Sequence, residues 1–152
     1  MSDIVGISGI AHIALTIVNI NKSKIFYKEL MPFLGLNIIH ESKKSIYFVG
    51  SKTGILLQEP VIKAKSKTFS QNNIGLHHFC FRGKSRNDIL LIEKKLKSIR
   101  ANIIRGPSDG DWAPGYFYIL FEDPDGIRLE VNFVPKKGVL EKNVKFNPSN
   151  NY

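Results

Sequence analysis

Residues 121–135, FEDPDGIRLEVNFVP, decide how the rest of the chain is read. In the DPDG turn, Pro124 fixes one backbone dihedral and Gly126 accepts a positive φ. The turn joins two β-rich runs, YFYILFE at 116–122 and IRLEVNFVP at 127–135. Glu130 stands between Leu129 and Val131 in the second run. A carboxylate in so apolar a strand is costly inside a protein unless it is paired or bound to a cation.

Working upstream, NIIR at 102–105 is a short strand, and SRNDILLIEKKLKSIRA at 85–101 is a helix with Ile89, Ile92, Leu96 and Ile99 as its apolar stripe. Ser85 is the expected cap, and Asp88 falls at the capping-box position three residues on. LHHFCFRG at 76–83 is β-like again. The second half therefore reads β, α, β, β, β.

The first half repeats that order. IAHIALTIV at 10–18 is a strand, and NKSKIFYKELMPFL at 21–34 is a helix. Asn21 or Ser23 is its expected N-cap, and Ile25, Phe26, Leu30 and Phe33 are spaced along one face. Gly35 closes the helix, and three short runs follow: LNIIHE, SIYFVG and GILLQEP. The expected fold is α+β, with two βαβββ modules in a single domain over 1–152. Module 1 spans 9–60, a linker 61–75, module 2 76–135 and a tail 136–152. Phe146 and Tyr152 are candidate anchors by which the tail docks.

Superposing the halves sets AHIAL on HHFCF, so that His12 corresponds to His78, a separation of 78 − 12 = 66 residues. The last strands align through their leading glycines, Gly54 to Gln58 against Gly126 to Glu130. Residues two apart share a strand face, which puts Ala14 and Thr16 beside His12, Cys80 and Arg82 beside His78, and Arg128 and Asn132 beside Glu130. Two imidazoles and a carboxylate suit a borderline divalent metal and leave positions open for substrate. Taken singly, a strand histidine is more often a hydrogen-bonded structural residue. Recurrence at equivalent places in a repeat is what favours a site.

Composition narrows the function classes. A chain of 152 residues with 43% hydrophobic content is long enough for one real core. It has no run of about 20 apolar residues of the kind a bilayer span needs, and MSDIVGISGI has no secretory character. The expected location is cytoplasmic. Lone Cys80 suits a reducing compartment and is expected to be a buried, inert thiol. The 22 Lys+Arg against 13 Asp+Glu give a formal charge of +9, but the lysines are dispersed. Even the densest group, Lys63, Lys65 and Lys67, reads as a solvated loop. A small anionic substrate remains compatible with this charge, while nucleic acid and membrane partners are not expected.

On these motifs the chain resembles the vicinal oxygen chelate superfamily, which takes in glyoxalases, bleomycin-resistance proteins and extradiol dioxygenases. The resemblance runs from Gly9 to Pro135 and is carried by HIALTI with FYKELMPFLGL, by GLHHFCFR, and most specifically by FEDPDGIRLEVNFVP. It implies strands that curl as a mixed sheet around a central cavity holding one divalent ion (Zn, Ni, Fe, Mn or Co). His12, His78 and Glu130 match the family's ligands in the first, fifth and eighth strands. At the remaining ligand position, in the fourth strand, counting back from Pro60 reaches Leu56 and counting forward from Gly54 reaches Gln58. Gln58 is the candidate fourth ligand. The segment DGDWAPGYFYILFEDPDG is similar to the corresponding loop of uncharacterised glyoxalase-like proteins. Its Trp112, Tyr116 and Tyr118 either line the substrate mouth, with Arg82 and Arg128 as further substrate contacts, or pack the loop.

The resemblance implies a metal-dependent lyase or isomerase acting on a small oxygenated substrate, with Glu130 also the candidate catalytic base and a homodimer as the expected assembly. Two other functions remain open: an Fe(II) ring-cleaving dioxygenase, and a metal-free drug-binding protein of the bleomycin-resistance kind.

Overall fold

The computed structural model describes residues 5–62 and 68–144. Lys63, Lys65, Lys67, Phe146 and Tyr152 lie outside the described residues. The chain divides into two compact units, Met1–Lys65 and Ser66–Tyr152. Among the described residues no helix is long and apolar enough to cross a membrane.

Unit 1 contains β1 (His12–Thr16), α1 (Ile20–Phe33), β2 (Asn37–Glu41), β3 (Ser45–Gly50) and β4 (Thr53–Gln58). Its sheet has the order β1-β4-β3-β2, with β1 parallel to β4 and the other pairs antiparallel. The ladders set Leu15 and Ile46 opposite Leu57, and Phe48 opposite Ile55. All five are buried, so one sheet face is continuous core. The alternate residues His12, Ala14 and Thr16 are exposed.

The start of α1 differs from expectation. Asn19, in extended conformation, is its N-cap and accepts from Lys22 N at 2.9 Å, while Glu59 Oε1, just past β4, accepts from Ile20 N at 2.9 Å. The two carboxamide and carboxylate oxygens satisfy donors that the helix itself leaves free. Asn21 and Ser23 lie inside the helix, with Ser23 buried. The core face also differs: Ile20, Phe26, Tyr27, Leu30 and Met31 are buried, whereas Ile25 is 75% and Phe33 47% exposed.

Unit 2 contains β5 (Phe79–Arg82), α2 (Arg86–Ser98), β6 (Asn102–Asp109), β7 (Phe117–Glu122), β8 (Arg128–Phe133) and a short 3-10 turn, Gly138–Leu140. The sheet order β5-β8-β7-β6 matches that of unit 1, again with the first pair parallel and the others antiparallel. The α+β class and the doubled β, α, β, β, β order are thus those of the structure. The strand β6 runs on to Asp109 through two register shifts, beyond the expected NIIR. Ser85 and Asp88 form the capping box, and Ile89, Ile92 and Leu96 are buried with Leu129 and Val131. Ile99 falls at the C-cap and is only half-buried.

The DPDG turn is built as its residues dictate. Asp123 Oδ1 accepts from Asp125 N at 2.8 Å and from Ile127 N at 2.9 Å, and Gly126 has φ of 83°. This turn delivers β8 antiparallel to β7 with Leu120 opposite Glu130. Unlike the exposed face of β1, both faces of β7 are covered, because Trp112, Ala113 and Tyr116 fold over Tyr118 and Leu120.

Candidate metal centre

Ladder register decides which residues of the two modules correspond. The N-caps Asn19 and Ser85 are 85 − 19 = 66 residues apart, the same offset as His12 and His78. His12 is the first residue of β1, and His78 directly precedes β5. In unit 1, Ala14 lies opposite Leu56 and Thr16 opposite Gln58. In unit 2, Cys80 lies opposite Glu130 and Arg82 opposite Asn132. Ala14 and Cys80 each stand two residues after their histidine. Leu56 therefore answers to Glu130, and Gln58 answers to Asn132.

This corrects the alignment drawn through the glycines. Gly126 belongs to the turn before β8, at positive φ, whereas Gly54 is inside β4, where a Cβ would strike the Tyr47 ring. The two glycines do different work and are not equivalent. Gln58 is exposed and one pleat farther along β4 than the glycine-led alignment places it.

Within unit 2, Glu130 is wholly buried and its two oxygens have different surroundings. Oε1 accepts a short hydrogen bond from the Tyr116 hydroxyl, and Asn132 Nδ2 donates to the same hydroxyl oxygen at 2.9 Å. Oε2 has no hydrogen-bond partner and lies 3.4 Å from His78 Nε2. Burial pushes the Tyr116 phenol well above its ordinary range; the Asn132 amide opposes that shift and the Glu130 carboxylate adds to it. The hydroxyl thus stays protonated as a donor.

His77 Nδ1 and His78 Nδ1 are 2.8 Å apart with their rings edge to face. Burial, then the neighbouring His78 and Arg128, holds His77 below the ordinary imidazole pKa. Cys80 is exposed rather than buried as expected. The chain around its sulfur and the Glu130 carboxylate across the ladder nevertheless push the thiol up, which disfavours a reactive thiolate.

The orphaned oxygen tests whether these residues fit a metal. Two ligands bound at 2.0–2.1 Å to one ion are about 2.9–3.4 Å apart for bond angles of 90–109°. The Nε2 to Oε2 separation of 3.4 Å falls at the tetrahedral end of that span. An imidazole and a carboxylate are also the right donors for a borderline divalent ion. Among the described residues no three His, Cys, Asp or Glu stand assembled around an ion. His78 and Glu130 supply two donors in unit 2, and His12, the third expected donor, belongs to unit 1.

The expected substrate contacts fall into two groups. Trp112, Tyr116 and Tyr118 pack on one another with centroids 5.0–5.7 Å apart, all buried. The packing alternative therefore describes them, and of the three Tyr116 reaches Glu130. Arg82 is exposed, and Arg128 is partly exposed beside Glu122 at 3.5 Å. Sequence reasoning passed over His77 and the Tyr116–Glu130 bond. The doubled histidine was a visible signal for His77. Nothing in the spacing from 116 to 130 announces the hydroxyl contact.

The profile of the Glyoxalase/Bleomycin resistance protein/Dioxygenase superfamily matches residues 9–131. Among solved structures, a candidate glyoxalase from Bacillus halodurans is 22% identical with a TM-score of 0.74, over 84% of this chain and 96% of that one. The lactoylglutathione lyase of Agrobacterium tumefaciens is 19% identical with a TM-score of 0.61, over 83% and 93%. The fosfomycin resistance protein FosX of Listeria monocytogenes is 18% identical with a TM-score of 0.61, over 85% and 95%. At these identities the likeness is one of fold. No curated protein matches the chain by sequence.

Proposed function

The chain belongs to the glyoxalase/bleomycin resistance protein/dioxygenase superfamily, and from that premise we propose a divalent-metal-dependent lyase or isomerase of glyoxalase type. The observation that supports this reading is the buried Glu130 Oε2, without a hydrogen bond and 3.4 Å from His78 Nε2. A buried carboxylate oxygen without a hydrogen bond is costly and is stabilised by a cation. His78 and Glu130 are the proposed ligands within unit 2, for an ion that Zn, Ni, Fe, Mn or Co would serve equally on donor chemistry, and His12 is the third ligand that the resemblance implies. Two or three such donors leave coordination positions to a substrate.

When bound, the ion would act as a Lewis acid toward paired substrate oxygens. Glu130, the buried carboxylate of the site, is the residue assigned to take up the substrate's proton and return it. Arg82 and Arg128 lie on the strands flanking that carboxylate and are assigned to an anionic group of the substrate. The aromatic packing of Trp112, Tyr116 and Tyr118 excludes water from the carboxylate's far side. A homodimer is the proposed assembly. Elemental analysis of protein purified without chelator tests the reading. We expect about one divalent ion per chain in wild type and its loss in His78→Ala; metal-free wild type would sink the proposal.

A further inference from the structure

Two residues outside the ligand set decide which atoms of His78 and Glu130 face each other. The Asn132 amide donates to the Tyr116 oxygen at 2.9 Å, so that oxygen is an acceptor there and its own proton points to Glu130 Oε1. Oε2 is thereby the free carboxylate atom. On the imidazole side, the 2.8 Å contact between the His77 and His78 Nδ1 atoms needs one proton between them. Whichever ring supplies it, Nδ1 of His78 is engaged and Nε2 is the atom left toward Glu130. If His78 supplies it, Nε2 presents its lone pair toward Glu130 Oε2 at 3.4 Å, the two donor atoms that a cation would join.

We propose that His77 and Tyr116 are positioning residues of the centre: His77 accepts the Nδ1 proton of His78, and Tyr116 holds Glu130 to one-oxygen ligation through Oε2. This inference rests on the metal reading above. Each contact fixes a ligand from its far side, in the manner by which groups behind metal ligands set tautomer, ring orientation and basicity.

Cobalt(II) binding to the full-length protein tests it, read by chelator competition and by the visible absorption of the ion. Tyr116→Phe removes the donor, and His77→Leu removes the acceptor; each is expected to weaken cobalt binding about ten- to a hundredfold and to change the absorption bands. His77→Asn, which returns an acceptor oxygen near the place of Nδ1, should recover most of the affinity. A merely structural role would lower the unfolding midpoint in EDTA while leaving affinity and spectrum of the folded protein at wild-type values, and that result overturns the assignment. Failure of His77→Asn to recover binding overturns the assignment of His77 as the group that holds His78 Nδ1. Wild type that takes up no cobalt overturns the metal reading itself, and this inference with it.

Discussion

His78 Nε2 and Glu130 Oε2 stand 3.4 Å apart, and the carboxylate is inaccessible to solvent. Without an ion, one oxygen of that carboxylate lacks a hydrogen bond. Such a group costs about 1–3 kcal/mol, more when it is charged. Glu130→Gln keeps an acceptor for Tyr116 and offers an amide proton toward His78. We therefore expect Glu130→Gln to be more stable than wild type in EDTA, by about 2–4 °C for each kcal/mol recovered, while losing metal. Thermal unfolding with and without chelator checks both halves. A variant that melts lower than wild type in EDTA would show that the carboxylate is satisfied by some other means.

The ladders make a second prediction, in the strand where unit 1 lacks a carboxylate. Leu56, half-buried, stands opposite Ala14, and wholly buried Glu130 stands opposite Cys80. Gln58 answers to Asn132 instead, so its loss should bear little on divalent-metal binding. Gln58→Ala, one pleat from Leu56, should change affinity less than about twofold, within the span of ordinary surface substitutions. Calorimetric titration of the variant with zinc measures this, and a loss of about tenfold or more would restore Gln58 as a ligand.

The contrast between these positions shows which parts of the site were legible in sequence. Alternation of apolar residues fixes strand faces, so the doubled topology and the equivalence of His12 and His78 follow from pattern alone. Glycine is a poorer guide, because it is selected for different reasons: Gly126 for a backbone angle, Gly54 for the ring of Tyr47 above it. In α1, Phe26 and Tyr27 are both buried while Ile25 is exposed. Three neighbouring apolar residues do not say which two face the sheet; the sheet's position does. The bonds from Tyr116 to Glu130 and from His77 to His78 are set by tertiary placement and leave no periodic trace.

The capping box of α2 gives a prediction that does not depend on the metal. Ser85 Oγ accepts from Asp88 N at 3.1 Å, and Asp88 Oδ2 accepts from Ser85 N at 2.9 Å and Lys84 N at 3.0 Å. Ser85→Ala removes one partner of this reciprocal pair and should cost about 1 kcal/mol, whereas Ser85→Gly should cost only a few tenths. The midpoint in EDTA should fall by about 2–4 °C in the first case and scarcely move in the second. A Ser85→Ala midpoint equal to that of wild type would remove the hydroxyl as a stabilising cap.

Acid sensitivity should appear on unit 1 at Glu41. Lys28 Nζ and Lys24 Nζ reach its two oxygens at 2.8 and 2.9 Å, and these two ammonium groups, Lys28 foremost, hold the carboxyl below the ordinary range of 4.5. A depressed acid favours the folded state once the unfolded chain's carboxyl has ionised. Its contribution is therefore complete above the unfolded pKa and is lost as pH falls through the lower folded value. Glu41→Gln should melt below wild type by a constant margin from about pH 6 upward. The margin should close on acidification, because the wild-type carboxyl is then also neutral. Since the cluster lies at the surface, added salt should narrow the margin at neutral pH as well. Unfolding midpoints of the two proteins across pH and at two ionic strengths measure this. A margin that widens toward acid would reverse the sign of the shift assigned to Glu41, and one that ignores salt would remove the lysine pair as its cause.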